Sequence, residues 1–194
     1  MKVSTIHRPR RGFTLIELLV VITIIAVLAG AGFAIGSAAL NRARQVSAQA
    51  TATSIDQAVN LFFSEYGTFP ISGEGTSRVV TDSSSTTFLQ ALIGQEDTLN
   101  PRGIRFLTVK EGTGNRNGII FNAGNSPTGV YDPWGNPYTV RMDTSYQDRL
   151  TFNIDITPFQ GNTSVTLNGR RVAVYSPGVP EGDRSSLSDM VKTW

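Results

Sequence analysis

The apolar and polar positions of this chain form two successive patterns. The first is Phe13–Ile35, an almost continuous apolar run of 23 residues in which Glu17 is the only charged side chain. A helix rises about 1.5 Å per residue, so this run would be roughly 35 Å long and would exceed a hydrocarbon core of about 30 Å. The run therefore predicts a helix that can span a bilayer.

The second pattern is amphipathic and continues the helix through residues 37–66. Apolar side chains recur there at spacings of four, three and four residues, which places them on one helix face. They are Ile55, Val59, Phe62 and Tyr66. Gly67 follows, where a helix C-terminal glycine is expected. We therefore predict one long helix, whose first half at residues 13–36 lies in the membrane and whose second half packs on a globular region.

Residues 67–194 are predicted to form that globular region. After a loop at residues 71–86, a short helix is expected around Thr87–Gly94. Strands are predicted at Ile104–Val109, Gly118–Asn122, residues 138–142 and residues 150–156, with a last apolar segment at Arg171–Ser176. A helix followed by antiparallel strands is the α+β order, so we expect a small antiparallel sheet laid over the second half of the long helix.

Charge is unevenly distributed along the chain. The formal net charge is +2, but four basic residues and no acidic residue precede Gly12. Residues 13–194 hold 13 basic and 15 acidic side chains, a net charge of −2. A nucleic-acid surface needs a clustered basic face, so we expect no nucleic-acid partner. The basic start also predicts that residues 1–12 stay cytoplasmic while the remainder lies outside.

The residue types narrow the possible chemistry further. Cysteine is absent and His7 is the only histidine. A chain without residues 1–12 therefore has no thiol nucleophile, no Ser-His triad and no imidazole-ligated or zinc-finger metal site. Carboxylate chemistry and oxygen-ligated cations stay open, so an anchored periplasmic enzyme is an alternative, although we expect no enzyme.

Three ordinary interpretations compete for the N-terminal segment. A secretory signal could be cleaved near Ala29-Gly30-Ala31, but its apolar region usually has about 7–15 residues. A simple membrane anchor and a buried core helix are the other two. Glu17 argues against them, because a carboxylate inside an apolar span costs on the order of 2.5–3.5 kcal/mol on insertion and needs a partner.

The string RRGFTLIE, from Arg10 to Glu17, resembles the class III prepilin cleavage motif of type IV pilin-like proteins. The resemblance implies that a membrane prepilin peptidase cuts between Gly12 and Phe13, removes residues 1–12 and methylates the new amine of Phe13. It also implies that Glu17 of an incoming subunit pairs with the Phe13 amine of its neighbour. Burying one charge without the other is costly, so this pairing would fix the subunit register.

A second motif, YDPWGNPY, occupies residues 131–138. Its two prolines and its glycine predict a compact turn in which Asp132 caps local amides and Trp134 plugs the core. The string resembles the Asp-Pro-Trp-Gly-x-Pro-Tyr turn of type II secretion major pseudopilins, which implies a structural role for the matching residues. These are Asp132, Pro133, Trp134, Gly135, Pro137 and Tyr138.

The C-terminal tail is the third segment of interest. Pseudopilins often bind calcium in their last loop, and the resemblance implies that Glu181, Asp183 and Asp189 would be the charged ligands. Calcium needs several oxygen ligands on a flexible loop. This tail lacks the close-set acidic pattern of the family, so we expect a solvated acidic loop, with calcium as the alternative. No other cofactor is expected.

Together the motifs resemble the G-type major pseudopilin, which has a type IV pilin-like fold. The family implies an inner-membrane protein with a single transmembrane helix, a cytoplasmic N-terminus and a periplasmic C-terminal region. Identical subunits then polymerise into a periplasmic pseudopilus that drives type II protein secretion. Minor pseudopilins, the prepilin peptidase, an inner-membrane assembly platform and membrane lipid are the implied partners. A type IV pilus subunit for adhesion or DNA uptake is the alternative function.

Overall fold

The structure is a computed structural model that describes residues 13–71, 77–154, 156, 163–179 and 190–194, with the backbone alone described at residues 31–35 and 37. Its first helix, α1, spans Leu15–Tyr66. The chain forms two compact units, an N-terminal unit of Met1–Arg42 and a C-terminal unit of Ala43–Trp194. Among the described residues, no helix has an apolar stretch long enough to cross a membrane.

In the N-terminal unit the described apolar side chains of α1 are exposed. The large apolar side chains described between Phe13 and Leu28 are exposed by fractions that run from 46% at Val21 to 88% at Leu15. Folding of a soluble chain normally removes such side chains from water, because each buried one contributes about 1.5–3 kcal/mol. This helix surface is therefore not covered by the described residues of its own chain.

In the C-terminal unit α1 buries the face that its spacing predicts. Ile55, Val59 and Phe62 are fully buried and Tyr66 packs against the same core. The helix ends at Tyr66, and Gly67 follows at φ +69°, with its N–H bonded to the Phe63 carbonyl at 2.8 Å. A residue in this left-handed conformation is a common helix terminator, which explains the glycine.

The rest of the C-terminal unit confirms the α+β class. Its elements are β1 (Arg78–Val80), a 3-10 turn (Ser83–Ser85), α2 (Thr86–Ile93), β2 (Gly118–Phe121), β3 (Pro127–Tyr131), β4 (Thr139–Met142), β5 (Arg149–Asn153), β6 (Ser164–Asn168), β7 (Val172–Ser176) and β8 (Val191–Lys192). Every pair among the described strands is antiparallel. The described strands form three sheets rather than the single small sheet expected: β1-β4-β7-β8, β2-β3 and β5-β6.

Two hydrophobic clusters fill the unit. The larger joins α1 to α2 and to the sheet β1-β4-β7-β8. The smaller lies between β5 and β7 and includes Phe152, Tyr175 and Met190, with Trp194 packed against it. The helix thus packs on the four-stranded sheet through the first cluster, while the β5-β6 hairpin has a core of its own.

Two sequence expectations need correction. Ile104–Val109 is not a strand, because the N–H groups of Phe106 and Leu107 both bond to the Leu92 carbonyl at the end of α2 instead of to a neighbouring strand. The expected loop at residues 71–86 contains β1, an edge strand of the main sheet that pairs with β4.

Candidate functional site

The start of α1 is organised by two polar side chains. The Thr14 N–H and the Thr14 hydroxyl both donate to Oε2 of Glu17, at 2.8 and 2.9 Å. In return the Glu17 N–H donates to Thr14 Oγ1 at 3.3 Å. This reciprocal arrangement is a capping box, with threonine before the first helical residue and glutamate in the first turn. It gives Glu17 a local structural role in addition to the assembly role expected from the sequence.

The other residues of the N-terminal motif surround this cap. Phe13 is 76% exposed and Glu17 is exposed beside it. Gly12, with the rest of residues 1–12, lies outside the described residues. Glu17 is thus a carboxylate set in an exposed apolar helix surface, and the two donors described for it come from Thr14. Neutral donors stabilise an anion only in part, so a cation nearby would stabilise it further.

The segment 131–138 folds around the carboxylate of Asp132, which is fully buried. Its Oδ1 accepts the backbone N–H groups of Trp134 and Asn136, both at 2.9 Å. Its Oδ2 accepts the Asn136 amide at 3.0 Å and the Ser176 hydroxyl at 2.9 Å. Four donors therefore meet one buried carboxylate, which is the condition under which such a group is tolerated in a core.

The turn is closed by its own backbone as well. Asp132 donates its N–H to the Asn136 carbonyl at 2.9 Å and accepts the Gly135 N–H at 3.1 Å. Gly135 has φ +97°, a conformation that residues with a Cβ rarely adopt. Pro133 and Pro137 are half-buried. The sequence signal of two prolines and a glycine thus corresponds to one tight, hydrogen-bonded loop.

Trp134 was expected to enter the core next to the turn, but Tyr138 does so instead. Trp134 is half-buried and packs against the edge of the larger cluster, whereas Tyr138 is completely buried within it. The Tyr138 hydroxyl donates to the Ala48 carbonyl of α1 at 3.1 Å. Burial raises the pKa of this phenol, and the charge of Asp132 raises it further. The tyrosine, not the tryptophan, therefore plugs the core next to the turn.

Further hydrogen bonds connect this turn with two distant segments of the C-terminal unit. On one side the Asn117 N–H donates to the Asp132 carbonyl at 2.8 Å, and Ser47 of α1 donates to the Asn117 side chain at 3.0 Å. On the other side the Asn136 amide donates to the Gly178 carbonyl at 2.9 Å. The turn therefore holds α1 and the chain beyond β7 in one hydrogen-bonded network.

Sequence analysis missed a second carboxylate centre, in the loop between β4 and β5. Asp143 is 3% exposed. Its Oδ1 accepts the Ser145 hydroxyl at 2.6 Å, and its Oδ2 accepts the Arg149 N–H at 3.3 Å. Burial alone would raise the pKa of Asp143, but hydrogen bonds from the Ser145 hydroxyl and from three backbone N–H groups of the loop together hold it below its ordinary value.

Asn100 is a second centre that sequence analysis missed. Its amide nitrogen donates to the carbonyls of Ala91 and Ile104, and its oxygen accepts the Tyr66 hydroxyl and the Ile104 N–H, at distances from 2.6 to 3.0 Å. All four hydrogen-bonding positions of the side chain are used. The signal that could have found it is an asparagine directly before a proline, in the mostly polar segment that follows α2.

The proposed calcium ligands Glu181, Asp183 and Asp189 lie outside the described residues. Within the described part of the chain, no group of three or more acidic or histidine side chains is placed to hold a metal ion.

Comparison with known proteins gives one family match, at the N-terminus. Residues 7–33 match the prokaryotic N-terminal methylation motif, a range that includes Gly12, Phe13 and Glu17. The match supports a type IV pilin-like prepilin that a prepilin peptidase processes and that assembles into filaments. No curated protein matches the chain, and neither does any solved structure.

Proposed function

We propose that this chain is the G-type major pseudopilin of a type II secretion system, a structural subunit and not an enzyme. The match of residues 7–33 to the N-terminal methylation motif supports the prepilin class of this proposal, and the resemblance of residues 131–138 to the turn of major pseudopilins supports its finer part. The peptidase cuts after Gly12, and methylation follows at the new amine of Phe13. The mature subunits polymerise into a periplasmic filament that drives protein export.

The exposed apolar surface of the N-terminal unit supports a membrane stage followed by assembly. Before assembly, lipid covers this surface in a single-pass topology, with a cytoplasmic N-terminus and residues 67–194 in the periplasm. In the filament, copies of the same helix cover it instead. The Thr14 hydrogen bonds to Glu17 partly offset the free-energy cost of transferring the carboxylate into an apolar environment. The Phe13 amine of a neighbouring subunit then supplies a cation to Glu17, whose described hydrogen-bond donors are both neutral groups of Thr14.

The turn centred on Asp132 supports the secretion branch over a pilus for adhesion or DNA uptake. Its sequence resembles that of major pseudopilins, and its hydrogen bonds join α1 to the segment after β7. We infer from the packing of α1 on the four-stranded sheet that the C-terminal unit has the pilin-like fold. Minor pseudopilins and an inner-membrane assembly platform are the further partners of this proposal.

Mass spectrometry of the N-terminus, in cells with and without the prepilin peptidase, tests the proposal directly. We expect a mature chain that starts at Phe13 with one added methyl group, and only the full-length chain when the peptidase is absent. Cleavage near Ala31, or none in cells with the peptidase, would contradict the class. Deletion of the gene should abolish protein export; normal export with loss of DNA uptake or adhesion would favour the pilus alternative.

Calcium binding by Glu181, Asp183 and Asp189 is a separate, second hypothesis. Oxygen ligands of this kind suit calcium, and binding to the folded state alone would raise its stability. The melting temperature in calcium should then exceed that in a chelator. Equal melting temperatures would remove the site and leave the filament proposal intact.

A further inference from the structure

Tyr146, in the loop between β4 and β5, has an unusual backbone conformation. Its φ is +57°. The other described residues with positive φ are glycines, asparagines and Asp148, all of which tolerate this region. A bulky side chain is strained there, and such strain persists only where the surrounding structure enforces it. Asp143 does so here, because its carbonyl accepts the Tyr146 N–H at 3.2 Å and its carboxylate bonds to the loop on both sides of Tyr146.

The strained residue presents an exposed aromatic ring. Tyr146 is 57% exposed, although large apolar side chains of the C-terminal unit are mostly buried. The ring nevertheless packs against two other rings, since it stacks on Phe69 at 6.0 Å and 28° and lies 5.9 Å from Phe63. A ring that is already ordered loses little conformational entropy when a partner binds it, which is the property of an interface anchor.

An ion pair of zero net charge lies beside this ring. Arg171 pairs with Asp148 at 2.6 Å, and its guanidinium lies 5.1 Å from the centre of the Phe63 ring. Tyrosine and arginine are the residue types most often found at the energetic centres of protein interfaces. A patch whose charges neutralise each other gives no electrostatic attraction for a nucleic acid or an anionic lipid surface. It suits a partner that is itself close to neutral.

We propose that the Tyr146 surface, formed by Phe63, Tyr146, Asp148 and Arg171, docks the C-terminal unit of a second copy of this chain. The chain without residues 1–12 has a net charge of only −2, so a second copy meets the balanced patch without strong repulsion. This inference rests on the proposed filament, in which assembly through the N-terminal units brings many C-terminal units together. The strained tyrosine is then retained for contact between subunits and not for the stability of one subunit.

Two variants and one cross-linker test the proposal in the full-length chain. Tyr146→Asn removes the ring and places a residue that tolerates positive φ, so its melting temperature should be unchanged or higher. Filament yield should fall by about tenfold or more, the effect of losing an interface anchor. Tyr146→Phe, the matched control, keeps the ring and should assemble normally. Undiminished assembly of Tyr146→Asn would overturn the proposal.

The photo-reactive amino acid p-benzoylphenylalanine at position 146 gives a readout that does not depend on the stability of any variant. In cells that make filaments, irradiation should yield a dimer whose cross-linked peptides both come from this chain. A cross-link to a different protein, or none, would overturn the proposal while the filament function stands. If the wild-type chain forms no filaments, the proposed function fails; a copy-to-copy cross-link would still support the surface, and its absence would refute it.

Discussion

Glu17 and Asp132 are carboxylates of the same chain, and each stabilises a turn of backbone, but their surroundings differ. Asp132 is completely buried and accepts four hydrogen bonds from three residues of the C-terminal unit. Glu17 is exposed on an apolar helix, and its described donors both belong to Thr14. The C-terminal unit supplies four hydrogen-bond donors to the buried carboxylate of Asp132 from within one chain. The described part of the N-terminal unit supplies only the two Thr14 donors to Glu17, as expected of a segment that acts between molecules.

The apolar side chains of the two units differ in the same way. In the C-terminal unit α1 buries Ile55, Val59 and Phe62 completely, whereas the described apolar side chains before Leu28 stay exposed. Changes in the N-terminal unit should therefore affect assembly and leave folding intact. Changes around Asp132 should affect folding first.

The largest expected effect on assembly is that of Glu17→Ala. The variant should still enter the membrane, because it removes a charge from an apolar segment. If Glu17 pairs with the Phe13 amine of a neighbour as proposed, filament formation should be nearly abolished, because that amine would lose its partner. The melting temperature of the C-terminal unit should stay at the wild-type value. Electron microscopy of sheared filaments and calorimetry measure the two quantities, and undiminished filaments would disprove the role of Glu17.

Asp132→Ala should have the opposite profile. It leaves two backbone N–H groups, the Asn136 amide and the Ser176 hydroxyl without their acceptor, so we expect a loss of about 3 kcal/mol or more in the free energy of unfolding. That corresponds to a fall of roughly 6–12 °C in melting temperature. Asp132→Asn, which keeps one acceptor oxygen, should lose less. Wild-type stability of the alanine variant would show that the turn is not held by this carboxylate.

A pair of tyrosines gives a finer test within the C-terminal unit. Tyr138→Phe removes the bond to the Ala48 carbonyl and should lower the free energy of unfolding by about 1 kcal/mol. The Tyr175 hydroxyl is buried without a hydrogen-bond partner among the described residues. Tyr175→Phe should therefore be neutral, or stabilising by up to about 1 kcal/mol. Denaturant titrations of both variants measure the difference, and equal losses would contradict it.

The smallest expected effect is the loss of stability in acid that comes from protonation of Asp143. Its pKa in the folded state lies below the unfolded value of about 3.9, so its stabilising contribution is complete above that pH and is lost as pH falls through the folded pKa. Asp143→Asn lacks this dependence. Melting temperatures measured from about pH 7 to about pH 2 should fall more steeply for the wild type than for the variant at the acid end. Parallel curves would exclude the contribution.

The sequence predicted those parts of the fold that follow a local rule. The face of α1 in the C-terminal unit followed from spacing, and the bounds of α2 and β2 were predicted to within about one residue. The prediction of a strand at Ile104–Val109 was wrong because its backbone groups bond elsewhere. The Ile104 carbonyl accepts the Asn100 amide, and the Leu92 carbonyl accepts the N–H groups of Phe106 and Leu107. Apolar alternation does not reveal such contacts. β3 and β6 were missed because glycine, serine and threonine give them a weak strand pattern.

The candidate sites also differ in whether a local sequence pattern predicts them. The motif around Gly12, Phe13 and Glu17 is contiguous, so its chemistry could be read from the sequence. Asp143 and Tyr146 could not, because their importance depends on burial, on a positive φ and on rings contributed by other segments. A processing motif is contiguous in the sequence and can be predicted from it, whereas a surface built from distant segments can be recognised only after folding.

The three buried polar centres, Asn100, Asp132 and Asp143, have a consequence for how this sequence can change over evolutionary time. Each holds an irregular loop through bonds to backbone groups, and a backbone group is the same whatever side chain it bears. Exposed positions such as Thr108, Gly124 and Gln147 should therefore accept many substitutions, while each centre accepts almost none. Descendants of this chain should keep these three residues while the exposed positions of the loops around them diverge.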